Sequence, residues 1–214
     1  MLSLPALLKM ATFRERDGQL EADTAATAHG AIFGAYTMFQ QVLAAERALP
    51  GKRVISLQTL FANGGVSGQP VQIDVDVLQQ GRSFGCVSVT LRQEELVISR
   101  AEVLLTSDED DYLRLQAPPA EPIDSAGWPE RGAGLWPGRT RRDPSSGVAA
   151  MTLALELDAG VEEQRDPALT RALVALATEP EVMNTLLEYG DVTPSSDGRM
   201  PANVLTTTVT LLEP

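Results

Sequence analysis

The sequence holds one cysteine and one histidine in 214 residues. A lone cysteine, Cys86, excludes an intramolecular disulfide and any cysteine-based metal cluster. With His29 as the single histidine and no cysteine pair, the composition argues against a catalytic zinc and leaves a carboxylate-bound Mg²⁺ open. Basic residues are also scarce: 17 Lys and Arg stand against 29 Asp and Glu, for a formal charge of −12. Such a surface disfavours nucleic acid and anionic membranes as partners. No run of about 18 apolar residues occurs, so no membrane-spanning helix is expected. The opening "MLSLPALLKMATF" lacks a basic stretch and carries a proline in its apolar run, so no signal peptide is expected either. These absences point to a reducing, cytoplasmic setting.

What is present is ordinary for a globular chain: 43% apolar and 21% charged residues, in a length sufficient for a real core. Residues 11–25 read as a short hairpin turning at Asp17-Gly18. "HGAIFGAYTMFQQVLAAERALPG" follows, with Ile32, Phe33, Tyr36, Met38, Phe39, Val42 and Leu43 distributed over nearly every face. A helix that is apolar almost all round is buried almost all round. Pro50-Gly51 ends it. Four strands come next, around "RVISLQTLFANGG", "QPVQIDVDVLQQGRS", "FGCVSVTLRQEEL" and "LVISRAEVLLTS". In the second, Val71, Ile73, Val75 and Val77 alternate with Gln72, Asp74 and Asp76. Short turns, at Gly81 and at Gln93-Glu94-Glu95 among others, imply an antiparallel meander with one wet face. Its other face must wrap the helix. One long helix in the concave face of a curved antiparallel sheet is the hotdog arrangement, an α+β fold.

Residues 107–147 change character, with the acidic run Asp108–Asp111 and the Pro/Gly-rich "APPAEP" and "GWPERGAGLWPG". They read as a connection, and Trp128 and Trp136 suggest that it packs on the body. The helix-and-strand order then restarts. "GVAAMTLALELD" alternates as a strand, "DPALTRALVALAT" is a helix with Asp166 as N-cap and Pro167 in its first position, and "ANVLTTTVTLLEP" is a β-branched strand. The expected organisation is an N-terminal hotdog domain at 1–106, a connection at 107–147 and a second, partial hotdog-like half at 148–214.

In this order the sequence resembles the TesB-like, double-hotdog acyl-CoA thioesterases. The resemblance runs over residues 28–106 and 148–214. "FGAY" stands where that family usually shows Phe-Gly-Gly. "VDVLQQGRSFGCVSVTLRQEELVISRAEV" resembles its Gly-Arg-Ser turn between long strands, here Gly81-Arg82-Ser83. "ALVALATEPEVMNTLLEYG" resembles its second central helix, and "RMPANVLTTTVTLLEP" the strand after it. The resemblance implies hydrolysis of an acyl-CoA thioester to the free acid and CoA, without an organic cofactor, and a dimer of units packed side by side. The family's water-activating residues are an Asp on the second helix, a Thr on the next strand and a Gln late in the sheet. The acid falls at Glu179. The Thr falls near Val204, with Asn203 and Thr206 beside it. The Gln has no counterpart before Pro214. The second half offers too few strands to cover a helix. The expectation is therefore a truncated sequence, a partner that completes the second sheet, or last strands that pair with the first sheet.

Each candidate has a plainer reading beside the functional one. His29 and Gly30 sit before the helix, whose free N–H groups would polarise a thioester carbonyl; Phe33 and Gly34 would line the same end. Single-hotdog thioesterases carry His-Gly here with an acid two turns on, and that acid is absent. The plain reading makes His29 a polar residue ending a loop. Glu179 is a general base or, in "TEPE", part of a capping box whose Pro180 marks a helix start. Alternation puts Thr206 and Thr208 on one face and Thr207 on the other. Arg139, Arg141 and Arg142 form the one basic cluster, suited to CoA phosphates or to a solvated loop. Cys86 reads as a sheet residue. Beside hydrolysis stand two alternatives: a non-catalytic acyl-thioester-binding or assembly subunit, and a hydratase or dehydratase built on His29.

Overall fold

A computed structural model describes residues 4–16, 18–109, 127–128, 130–131, 138–140, 151–152, 166–189 and 204–211. They belong to two compact units. The larger comprises Pro5–Glu109 and Asp166–Glu213; the other comprises Met1–Leu4, Asp110–Arg165 and Pro214.

The larger unit opens with helix α1 (Leu4–Ala11) and the expected hairpin, β1 (Phe13–Arg16) and β2 (Gln19–Ala22). Gly18 in its turn has φ +78, a left-handed backbone that favours glycine. Helix α2 (Gly34–Ala48) follows, then β3 (Lys52–Phe61), β4 (Val71–Gln80), β5 (Phe84–Gln93) and β6 (Leu96–Ser107). Leu49 donates its N–H back to the Ala45 carbonyl, and Gly51, at φ +84, turns the chain out of α2. Helix α3 (Pro167–Tyr189) and strand β10 (Thr206–Thr210) complete the unit. The Asp166 carboxylate caps α3 by accepting the Ala168 N–H at 2.9 Å, as the sequence predicts. The second unit shows a small antiparallel sheet of β7 (Glu130–Arg131), β8 (Gly138–Thr140) and β9 (Met151–Thr152) in that order. Residues 148–150 and 153–157 of the strand expected at 148–157, and Trp136, lie outside the described residues.

The seven-stranded sheet runs β1-β2-β4-β5-β6-β3-β10, and its pairs are antiparallel. Only β4, β5 and β6 form the meander expected of all four strands. Strand β3 lies beyond β6, paired Leu57 to Val103 and Leu60 to Arg100. The segment 62–70, expected to be a short turn between neighbouring strands, is instead the return connection between two distant strands. Its backbone binds residues 27–32, just ahead of α2: Ile32 N–H donates to Gly65 O, and Ser67 N–H to Gly30 O, both at 2.9 Å. The alternation in β4 also overstates its burial. Val71 and Ile73 are buried, but Val77 is 48% exposed, so the core ends near Val75.

Helix α2 is buried for a reason only partly foreseen. One side rests on β3 to β6 and another on α3. Ala35, Met38, Phe39, Val42 and Ala45 are fully buried, as are the polar Gln40 and Gln41. Burying a large apolar side chain contributes roughly 1.5–3 kcal/mol, so two covered sides make this helix the centre of the core. The two glutamines tie it to its surroundings, although Gln40 Oε1 is left without a partner. Thr59 donates to Gln41 Oε1 at 2.8 Å, and Gln41 Nε2 donates to Ser99 at 3.1 Å. Gln40 Nε2 donates to the Asp23 carbonyl at 2.7 Å, tying the end of β2 to the helix. Alanines at 44 and 45 on α2 and at 172, 175 and 177 on α3 are buried.

Near the last turn of α2, Glu46 accepts from Arg171 of α3 through two bonds, the Nη2–Oε2 distance being 2.7 Å, and also accepts the Val54 N–H at 2.9 Å. One carboxylate thus joins α2, β3 and α3. Arg171→Ala strands that carboxylate in a site where its side chain is 9% exposed, and is expected to cost about 3–5 kcal/mol, read from urea unfolding. The Glu46→Ala/Arg171→Ala double variant recovers part of the loss.

Candidate active site

Helix α2 begins without a side-chain cap of its own. Its N-cap residue is Phe33, with an extended backbone (φ −76, ψ 131) and no side-chain bond to the first turn. Helix N-termini leave amide donors unsatisfied. Here the acceptor comes from the other helix: the Ala35 N–H donates to the Glu179 carboxyl of α3. The approach is close because Gly34 has no side chain. A Cβ built on Gly34 would lie 2.8 Å from both Glu179 carboxyl oxygens and 2.8 Å from Phe61 Cε1.

Glu179 is 6% exposed. Its Oε2 is buried without a hydrogen-bond partner. Burial pushes its pKa up from 4.5 to about 7, and the Ala35 N–H offsets only part of that rise. The positive end of the α2 dipole also favours the carboxylate, but loss of water outweighs both. The reading of Pro180 as a helix start is corrected. Helix α3 runs unbroken from Pro167 to Tyr189, which places Glu179 inside it. Thr178, expected in a capping box, instead donates its hydroxyl back to the Ala175 carbonyl at 2.8 Å.

Phe61 extends the site. It ends β3 beside Gly34, and its N–H donates to the Leu205 carbonyl at 3.0 Å. The residues just before β10 therefore lie next to the ring that touches Gly34. This is the stretch where the family's Thr was placed by resemblance. Thr206 itself is a correction. Its hydroxyl, expected to help activate water, donates to the Thr59 carbonyl at 2.9 Å. It pairs with exposed Leu60, whereas Val209 is the buried residue of β10. Odd and even residues of a strand face opposite ways, so Thr206 points to the outer face of the sheet and Thr207 shares a face with Val209.

The remaining candidates fall in three places. Phe33 meets Tyr36 edge-to-face with centroids 5.6 Å apart, at the same helix start as Gly34. His29 and Gly30 lie on an exposed turn ahead of the helix. His29 Nδ1 accepts the Ala31 N–H at 3.3 Å, and Gly30 has φ +78. Arg139 is in β8 of the second compact unit; Asn203, Arg141 and Arg142 lie outside the described residues. Among the described residues no three His, Cys, Asp or Glu side chains converge as a metal site would require. Cys86 is partly buried on β5, its thiol pushed up by burial and by Glu102. Sequence reasoning passed over Phe61, which read as one more apolar residue of a strand, and the Ala35 amide, which no side chain advertises.

Two predictions follow from this geometry. Glu179 keeps its proton to higher pH folded than unfolded. Its contribution to stability is therefore greatest below pH 4.5 and falls as pH rises through 7, by about 3 kcal/mol in all. Glu179→Gln is expected to flatten that slope in urea titrations run across the window. Gly34→Ala forces a methyl into the carboxyl and the ring, and is expected to cost about 1–3 kcal/mol by the same measurement.

Residues 22–106 match the family model described as the acyl-CoA thioesterase N-terminal domain. No curated protein sequence gives a significant match. Among solved structures the chain is similar to a tesB protein of Mycobacterium avium subs paratuberculosis, with 26% identity, 82% of this chain and 69% of that chain covered, and a TM-score of 0.64. It is also similar to an acyl-CoA thioesterase II of Mycobacterium marinum, with 20% identity, 90% and 72% covered, and a TM-score of 0.60. A protein with a hot dog fold from Alicyclobacillus acidocaldarius shares 17% identity over 97% and 78% of the two chains, with a TM-score of 0.60; at such identities the likeness is one of fold. A helix cradled by an antiparallel sheet is the hotdog fold, and residues 22–106 carry the sequence pattern of an acyl-CoA thioesterase N-terminal domain within it.

Proposed function

We propose that the protein hydrolyses an acyl-CoA thioester to the free acid and CoA, with Glu179 as the general base. The observation that carries this reading is the buried, unpartnered Oε2 of Glu179 beside the first turn of α2. A general base works best with a pKa near the working pH, and about 7 meets that condition. The thioester carbonyl oxygen takes its stabilisation from the positive end of α2. Glu179 removes a proton from water as the water oxygen bonds to the carbonyl carbon. Collapse of the tetrahedral intermediate breaks the C–S bond, and the proton held by Glu179 passes to the departing CoA sulfur. Phe33 and Phe61, half-buried around Gly34, and Leu205, 72% exposed, supply apolar surface for the acyl chain nearest the carbonyl. His29 and Gly30 are proposed contacts on the substrate side of the same loop. Arg139, Arg141 and Arg142 are proposed for the CoA phosphates on charge alone. A dimer of units, as in the family resemblance, belongs to the same proposal.

The contact with Ala35 favours a second reading. A carboxyl that caps a helix needs no chemistry, and a non-hydrolytic acyl-thioester binder would keep it for structure. Nothing comparable supports a hydratase based on His29, whose Nδ1 is already occupied by a backbone amide. The variant Glu179→Gln separates the two readings. Hydrolysis predicts a fall in kcat of about 10²–10⁴-fold, with KM nearly unchanged and the rise of activity with pH near 7 abolished. A binder predicts no turnover by the unaltered protein and acyl-CoA affinity retained in the variant, read by calorimetry.

A further inference from the structure

We infer that Gln93, the last residue of β5, is a positioning residue that fixes the start of α2 beneath Glu179 by clamping the 62–70 connection. Its side-chain amide acts as a neighbouring strand would. Oε1 accepts the Val66 N–H at 2.7 Å, and Nε2 donates to the Val66 carbonyl at 2.9 Å, with longer contacts of 3.4 Å to the Gln69 and Pro70 carbonyls. Below the clamp the backbone passes with no room for a side chain. A Cβ on Gly65 would lie 2.6 Å from Ile32 Cδ1 and 2.8 Å from both Gln93 Oε1 and Ile98 Cδ1.

The clamped segment reaches the site by two routes. Gly65 accepts the Ile32 N–H, Ala31 bridges to Val66, and Ser67 donates to Gly30. Ile32 leads at once into Phe33 and Gly34, a helix start without a cap of its own. From its other side the same segment leaves Phe61, whose ring lies against Gly34. The backbone that aims the Ala35 amide and the ring beside it therefore both depend on where 62–70 rests. Gln93 binds the middle of that segment. It touches no reacting atom, so it acts only through these neighbours. The sequence offers it merely as one residue of a hairpin turn.

The effect on turnover rests on the assignment of Glu179 as base; the positioning itself does not. Two variants of the full chain test it: Gln93→Ala, and Gln93→Met, which keeps the length and packing but removes the hydrogen bonds. The readouts are kcat and KM on an acyl-CoA panel, and ¹³C NMR titration of the Glu179 carboxyl. Misplacing a reacting group by about 1 Å costs about 100-fold; a smaller shift is expected here, lowering kcat about 10-fold in both variants with KM little changed. The Glu179 midpoint is expected to rise, because the Ala35 N–H that lowers it moves away. A raised midpoint with turnover insensitive both to these variants and to Glu179→Gln upholds the positioning and removes the base assignment. An unchanged midpoint in folded Gln93→Met overturns the inference, even where Glu179→Gln abolishes turnover.

Discussion

The Glu179 carboxyl rests on the bare Cα of Gly34, and the helix pair is built around that contact. Helix α2 contributes a start with no cap, so its first amides seek an acceptor. Helix α3 contributes a carboxyl largely withdrawn from solvent. The exchange satisfies Ala35 but leaves the second carboxyl oxygen alone. Burying an unpartnered polar atom costs free energy, and the cost is offset by the apolar surface that the two helices cover in meeting. Eleven residues further along α2, the Glu46–Arg171 pair makes the opposite bargain, with both charges present and bidentate. The two clasps join residue 35 to residue 179 and residue 46 to residue 171, so the helices run antiparallel.

The strands repeat this relation. Helix α2 is followed by β3, helix α3 by β10, and β3 and β10 lie side by side and antiparallel, with Thr59 opposite Thr207 and Leu57 opposite Val209. A helix-then-strand unit is thus used twice, each copy covering the other. Of the options left open for the last strand, the structure shows the third: β10 extends the first sheet. It also explains why α2 has no wet side. A helix lying on a sheet alone needs one apolar stripe; a helix between a sheet and another helix needs two.

Much of the fold was legible because it is periodic. The all-round apolar pattern of α2, the hairpin at Gly18, the Asp166 cap and the strands β3 to β6 all follow from local rules that the tertiary structure respects. The failures share a cause. The order of strands depends on a long connection, and Asn63-Gly64-Gly65 carries the same letters whether it turns a hairpin or slides past Ile32 and Ile98. Burial along β4 depends on how far the helix reaches, which alternation does not encode. At the site, Glu179 and Gly34 were both named in the sequence, but on separate grounds. Their contact joins residues 145 apart in the chain and appears in neither local pattern. Thr206 failed for a simpler reason: alternation placed it correctly opposite Thr207 but gave no sign of which face was the inner one.

Pro180 shows why the local rules failed where they did. The residue before a proline disfavours the helical region, and a proline inside a helix has no N–H for the carbonyl four residues back, here Leu176. Both costs fall on the turn that carries Glu179. The helix nevertheless continues through it, held by Ala172, Leu173, Ala175 and Leu176, all buried. Ending the helix at Thr178 would free Glu179 from its buried seat and return its pKa towards the ordinary carboxylate range. Keeping the helix intact holds the carboxyl dry, on Gly34, at a pKa near neutrality. The proline-bearing turn, the bare glycine and the desolvated acid therefore describe one arrangement, centred on the residue proposed to act on the substrate.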